Sequence, residues 1–379
     1  MVHASSGDAE TARSVRDEAL RIADVYVSQS VRAAAYYMAG SVDAVLGDDV
    51  AAQHRLRRTM DIARDAGSPY TLARLLPPLA RRLEADGDSD GAIAAMDEAI
   101  ALTRSTGDRV GLARSLRAMA AHHIARAEYE KAGTRLREAL PIVSLEIDDA
   151  SLACRVETTA GTLCRVKGDL RGADAHLERA LARAARLGVW RSSMDPFLAR
   201  AELEIAREDN DAALEALASS KNAARHANHA GRLLTALILE SSVLLAAARL
   251  DDARRTLAEA ETRIGAVHEP VLRAQLDHVR GRIALADGRP EDAVHALRAA
   301  ERAADAAGIR LLAIECREDL ALAWHSLNPA DDAPRQLAAA AADERRRIGA
   351  PPPDARRREL VLLDATGSGD SNGSPGVVA

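Results

Sequence analysis

The residues able to do chemistry are few, and their spacing limits what they could do. Only three lysines occur, Lys131, Lys167 and Lys221, and none follows a glycine. A phosphate-binding loop needs a Gly-Lys step, because backbone amides cradle the phosphates while the lysine reaches the terminal ones, so the sequence encodes no such loop. His226 and His229, three residues apart, could share a helix face and one metal ion. No third ligand stands at readable spacing, and two solvated histidines near a helix end account for the pair better, so no metal is expected. The adjacent His122 and His123 point in two directions on a helix, which predicts one packed and one exposed. Cys154 and Cys164 fall on one helix about 15 Å apart by axial rise, too far for a disulfide. With Cys316 they read as reduced, buried small hydrophobes. The expectation is a protein with no catalytic residues and no cofactor.

Helices must position whatever function there is. Ala fills 83 of 379 positions, and only eight residues are aromatic. Alanine is the strongest helix former and lets helices approach closely. A chain this long, 47% hydrophobic and 28% charged, exceeds one ordinary globule, so several domains or a repeat array are expected. The net charge of -6 and the pI of about 6.0 give no overall positive field to attract nucleic acid or an anionic membrane. The first ten residues are polar, and no apolar run reaches the roughly 18 residues of a membrane span. Together with reduced thiols, this places the chain in the cytoplasm.

A period of 40 residues organises the sequence. Ala52, Ala92, Ala132, Ala173, Ala213, Ala253, Ala293 and Ala333 form one column, with one inserted residue between the third and fourth. Four residues on stand Leu56, Met96, Leu136, Leu177, Leu217, Leu257, Leu297 and Leu337. Seven residues on stand Thr59, Ala99, Ala139, Ala180, Ser220, Ala260, Ala300 and Ala340. These offsets share one helix face. Twelve residues before the first column lies another small set, Gly40, Ala80, Ala120, Gly161, Ala201, Ser241, Gly281 and Ala321, on a preceding helix. Turns such as Gly47-Asp48-Asp49, Gly87-Asp88-Ser89 and Gly168-Asp169 separate the two helices. Gly67, Gly107, Gly188, Gly308 and Gly349 suit the C-terminal ends of units. Each unit therefore reads as helix A, short turn, helix B.

Small residues at relative positions 8, 20 and 27, with Gly or Asp in the turn, make residues 29 to 349 resemble the tetratricopeptide repeat. The unit here is 40 residues against the familiar 34, and the aromatic and proline positions of the consensus are mostly Leu, Ala or polar. In this it resembles the sensor regions of maltose-regulator-like bacterial regulators and ATPase-linked nucleotidyl cyclases, as does the closing segment from Asp343 to Pro352. The resemblance implies an all-α, right-handed solenoid of about eight antiparallel helix pairs, with the A helices lining a concave groove. It further implies a non-enzymatic scaffold or regulatory sensor that binds a protein or peptide, or the sensor arm of a larger ATPase, transcriptional regulator or cyclase.

Carrying over the groove-facing positions 2, 5, 9 and 12 of the family marks Arg74, Arg114 and Arg155 at the first, with Arg117, Arg81 and Arg165 at the others. The same columns in the C-terminal half hold Asp195, Glu202, Glu315 and Glu318. The resemblance thus implies a basic N-terminal groove section that grips carboxylates or phosphates, hence an acidic protein or peptide. Solvated surface arginines in an arginine-rich chain produce the same pattern.

Residues 1 to 28 read as an N-terminal capping helix or truncated repeat, since Ala12 and Ala19 keep the columns while Arg16 breaks the leucine one. Residues 350 to 364 read as a C-terminal helix after a proline stop, and 365 to 379 as a disordered tail. Pro77-Pro78 should kink its helix. Trp324, in the family's packing position 11, reads as core.

Overall fold

The computed structural model describes residues 9–25, 28–46, 48–85, 88–265 and 270–351. Beyond Pro351, the C-terminal helix and tail expected from the sequence lie outside the described residues. An opening helix α1 (Ala9–Val25) precedes eight helix pairs. The first four are α2 (Gln29–Leu46) with α3 (Asp49–Asp65), α4 (Pro69–Ala85) with α5 (Ser89–Thr106), α6 (Arg109–Ala125) with α7 (Tyr129–Pro141), and α8 (Ala150–Val166) with α9 (Leu170–Leu187). The last four are α10 (Trp190–Ala206) with α11 (Asn210–His226), α12 (Ala230–Ala246) with α13 (Leu250–Ile264), α14 (Pro270–Ala286) with α15 (Pro290–Ala306), and α16 (Arg310–Leu327) with α17 (Ala333–Ile348). A π-helical turn, Ile142–Glu146, extends α7. The described residues form no strand, and the fold is an all-α solenoid.

Aspartates set many of the helix starts. The carboxylates of Asp48, Asp88, Asp108, Asp149, Asp169 and Asp209 each accept from the backbone N–H three residues on, at 2.8 to 3.0 Å. Each such cap satisfies an amide that the helix itself leaves unpaired, a stabilisation of about 1 kcal/mol.

The small columns lie where the two helices of a pair cross. A Cβ on Gly161 would stand 2.9 Å from Leu177 Cγ, and one on Gly281 only 2.6 Å from Leu297 Cγ. In the same column Ser241 donates its hydroxyl to the Ala253 carbonyl at 2.8 Å. The first seven members of the Ala52, Leu56 and Thr59 columns are all buried.

The eighth pair departs from the register. In α17 the buried residues are Pro334, Ala341, Arg345 and Ile348, whereas Ala333 and Ala340 are exposed and Leu337 half-buried. The longer connection from Asn328 to Asp332 shifts the packed face by one residue, so the sequence column ends at the seventh pair. Two further features bear on the sequence pattern. Helix α4 continues through Pro77 and Pro78, held by buried Leu76 and Leu79 on either side of them. Arg16 sits in α1 in place of a leucine because it reaches buried Asp43, which also pairs with Arg55.

Successive A helices pack against one another from the first pair to the eighth, and successive B helices have no comparable contact. The stack therefore curves with its A helices inside.

Within the A-to-B turns one column is left-handed throughout pairs three to seven: Ala127 (φ 56°), Gly168 (84°), Glu208 (61°), Ala248 (58°) and Gly288 (69°). Only glycine adopts this conformation without steric cost. Ala248→Gly should therefore raise the thermal midpoint, by a stabilisation of about 1 kcal/mol, and a lowered midpoint in a calorimetric melt would contradict that reading.

Candidate functional site

The curvature brings the last pair onto the middle of the array. Ile314 of α16, Ile348 of α17 and Ala350 belong to the same buried cluster as Ala127, Tyr129 of α7 and Val166 of α8. The Pro351 ring lies 3.4 Å from where a Cβ on Gly168 would stand, and Arg126 Nη1 lies 3.1 Å from that position on Gly308. The turns inside pairs three and four thus meet the eighth pair, and the inner face is closed along this edge.

The arginines singled out from the sequence are distributed as follows. Arg74 is exposed on α4, its guanidinium 5.6 Å from the centre of the Tyr70 ring. Arg81 also stands on α4, but its side chain lies outside the described residues. Arg114 and Arg117 on α6, and Arg155 and Arg165 on α8, are half-buried on neighbouring inner helices. Arg165 donates Nη2 to Glu202 Oε2 of α10 at 2.7 Å.

The acidic half of the charge split is matched by arginines of the fold itself. Asp195 forms an ion pair with Arg232 at 2.7 Å. Buried Arg345 donates Nε and Nη2 to the two oxygens of buried Glu318 at 2.8 and 2.9 Å, with Glu315 4.0 Å away. The fork-to-fork geometry is the strong form of this interaction. Tyr129 lies within the field of Arg165 and Arg345, yet burial dominates and pushes its phenol pKa up.

Other chemistry-bearing residues fall elsewhere than expected. His226 ends α11, where its ring stacks on exposed Trp190 at 4.5 Å, while His229 caps the next helix by accepting from the Arg232 amide at 3.3 Å. The two do not share a helix face. Among the described residues no group of three His, Cys, Asp or Glu side chains is arranged to hold a metal ion. His122 and His123 are both buried, and Glu128 lies 2.7 Å from His123 Nδ1. Trp324 is half-buried against Leu320 and Leu337, with the Arg298 guanidinium 5.0 Å from its ring.

Cys164 is the clearest departure. It is half-buried rather than enclosed, and it hydrogen-bonds to His176 of α9. His176 Nδ1 is 2.7 Å from Oε2 of buried Glu157, and Arg179 Nε donates to the other carboxylate oxygen at 3.1 Å. Cys164 and then Glu157 hold the His176 pKa up, at about 9. The sequence hid this group because its members come from two helices and stand up to 22 residues apart.

No family model and no curated protein matches the sequence. Solved structures do match. The chain is similar to a signal-transduction ATPase with numerous domains and a tetratricopeptide-repeat sensor from Pyrococcus horikoshii, with a TM-score of 0.54 and 13% identity over 91% of this chain. It spans about half of that protein, 50% of its length. The described chain shares the fold of tetratricopeptide-repeat solenoids. The solenoid is also similar to a Rap protein solved in complex with competence and sporulation factor, at a TM-score of 0.64 and 12% identity over 95% of this chain and 96% of that one. Aspartyl phosphate phosphatase F from Bacillus subtilis gives 0.56 and 12% over 99% and 94% of the two chains. At such identities the likeness is one of fold. No described helix of the solenoid is long and apolar enough to cross a membrane.

Two outcomes follow from the buried charges. Glu318→Ala strands Arg345 without its bidentate partner, a loss of about 3 kcal/mol or more; hydrogen exchange over α16 and α17 should quicken selectively, and unchanged protection there would refute the assignment. The His176 pKa is raised above its unfolded value of 6.5, so its contribution is complete below that pH and is lost as pH climbs to about 9. The melting temperature should fall across this window, and His176→Gln should flatten that slope.

Proposed function

We propose that this solenoid is a non-enzymatic sensor or scaffold of the cytoplasm whose inner face, at pairs three and four, binds an acidic protein or peptide. The carrying observation is a pair of buried donors, Tyr129 Oη and Arg165 Nε, that have no acceptor among the described residues. A buried donor left unpaired costs on the order of 1–3 kcal/mol, and a carboxylate or phosphate oxygen is an acceptor suited to either. Arg114, Arg117 and Arg155 on the neighbouring inner helices supply the positive field around them. The fold supports the reading too, because tetratricopeptide solenoids present an extended inner surface suited to chains rather than small substrates.

A second reading, the sensor arm of a larger signal-transduction ATPase or cyclase, rests on the likeness to the sensor-bearing ATPase, of which this chain spans half. Both readings assign the same inner face.

A labelled library of Asp- and Glu-rich peptides, assayed by fluorescence anisotropy, tests the proposal. At least one peptide should bind, more weakly as salt is raised, and Arg114→Glu with Arg155→Glu should weaken it by about tenfold or more. Equal binding by the double variant, with its melt unchanged, would overturn the basic groove.

A further inference from the structure

We infer that Cys164 is a reactive thiol of this chain, a site of covalent modification by electrophiles and hydroperoxides, activated by His176 across the seam between α8 and α9. Glu157 and Cys164 are seven residues apart, almost two turns, so both project from one face of α8 towards α9. There the Glu157 carboxylate engages His176 Nδ1 at 2.7 Å. That contact orients the ring, and the same imidazole hydrogen-bonds to the Cys164 thiol, so that nucleophile, imidazole and orienting carboxylate stand together at the seam.

Charge at the seam supports the same chemistry. His176 is held largely protonated at neutral pH by its two partners, and a cation beside the sulfur stabilises the negative charge of an attacking thiolate. Arg179 adds a second cation at the seam, its Nε donating to the Glu157 carboxylate at 3.1 Å. The apolar neighbours around Cys164 are Ala173 and Leu177 of α9 and Ala199 and Leu203 of α10. The charges that α10 brings to this region are already paired: Arg200 and Arg207 hold Asp174 at 2.6 and 2.7 Å, and Arg200 also holds Glu204 at 2.6 Å.

The other two cysteines provide contrast on the same chain. Cys154 is buried, donates to the Ala180 carbonyl at 3.3 Å, and has its thiol pKa pushed up to about 11 by burial. Cys316 is fully buried and is pushed up as well, by burial first and then by Asp319 and Glu315.

With hydrogen peroxide, the Cys164 sulfur attacks one oxygen, an S–O bond forms and the O–O bond breaks. The departing hydroxide takes the proton of His176 and leaves as water. Sulfur is oxidised by two electrons to the sulfenic acid, and the peroxide is reduced. With iodoacetamide, an S–C bond forms and iodide departs.

The test is competitive alkylation of the folded full chain with limiting iodoacetamide at pH 7, each cysteine quantified by peptide mass spectrometry. Cys164 should be modified about tenfold or more faster than Cys154 and Cys316. His176→Gln should slow Cys164 by about tenfold while leaving the other two unchanged. Equal rates for all three thiols in the wild-type chain would overturn the inference without recourse to any variant. So would an undiminished Cys164 rate in a folded His176→Gln protein. Hydrogen peroxide followed by a sulfenic-acid trap should mark Cys164 first, and marking of another cysteine first would count against the assignment.

Discussion

The close crossing of helix A on helix B is the constraint on which the rest of the molecule depends. Where Leu177 seats over Gly161 and Leu297 over Gly281, no room exists for a Cβ. Where the column carries serine, the hydroxyl of Ser241 turns to the opposing Ala253 carbonyl. Each pair is therefore a tight wedge rather than two loosely packed rods. Wedges stacked with their A helices in mutual contact curve consistently in one direction, and eight of them bring the last pair back onto the third and fourth. Loosening even a few crossings would alter the curvature and with it the closure at Tyr129, Ile314 and Ile348.

The near absence of aromatic residues has to be offset somewhere, because a repeat of this type usually fills the space between its helices with large rings. Several pairs fill it with charge. Pair one sets Asp43 of α2 against Arg55 of α3, and pair four sets Glu157 and Cys164 of α8 against His176 and Arg179 of α9. Pair eight sets Glu318 of α16 against Arg345 of α17. A buried ion pair contributes less net stability than a well-packed apolar contact, but losing one member is costly. Such pairs consequently fix which helices belong together, in an array whose apolar columns are otherwise nearly interchangeable. The same substitution of charge for aromatic bulk places an imidazolium next to a thiol.

The repeat was legible in the sequence because its columns are short-range and periodic: three small sets and one leucine set, seen again as buried residues through seven pairs. What escaped was set by contacts between elements. The eighth column fails at α17 because a longer connection moves the helix by one residue, and no periodicity reports a shift in its final period. The groove positions singled out Arg155 and Arg165 on α8, but carried no sign that Glu202 of the next pair already holds Arg165. Cys164 looked like a small hydrophobe on its own helix, since its partner His176 lies twelve residues on, across a turn. Tyr129 carried no signal at all, being buried only because the solenoid returns upon itself.

That return bears directly on what binding at the inner face could do. Tyr129 and Arg165 stand on the middle pairs, whereas Arg345 and Glu315, whose charges reach Tyr129, stand on the pair that closes against them. An anionic ligand placed between them would touch both sides of the closure. Such a ligand prefers the closed form by whatever free energy its contacts with the eighth pair contribute, and by linkage a tighter closure holds it more firmly. Glu315 acts in the opposite sense, since a carboxylate near the site opposes a second negative charge unless Arg345 compensates it. On the proposed reading, Glu315 and an Arg345 already held by Glu318 would together set whether an acidic partner stabilises the closed solenoid or opens it.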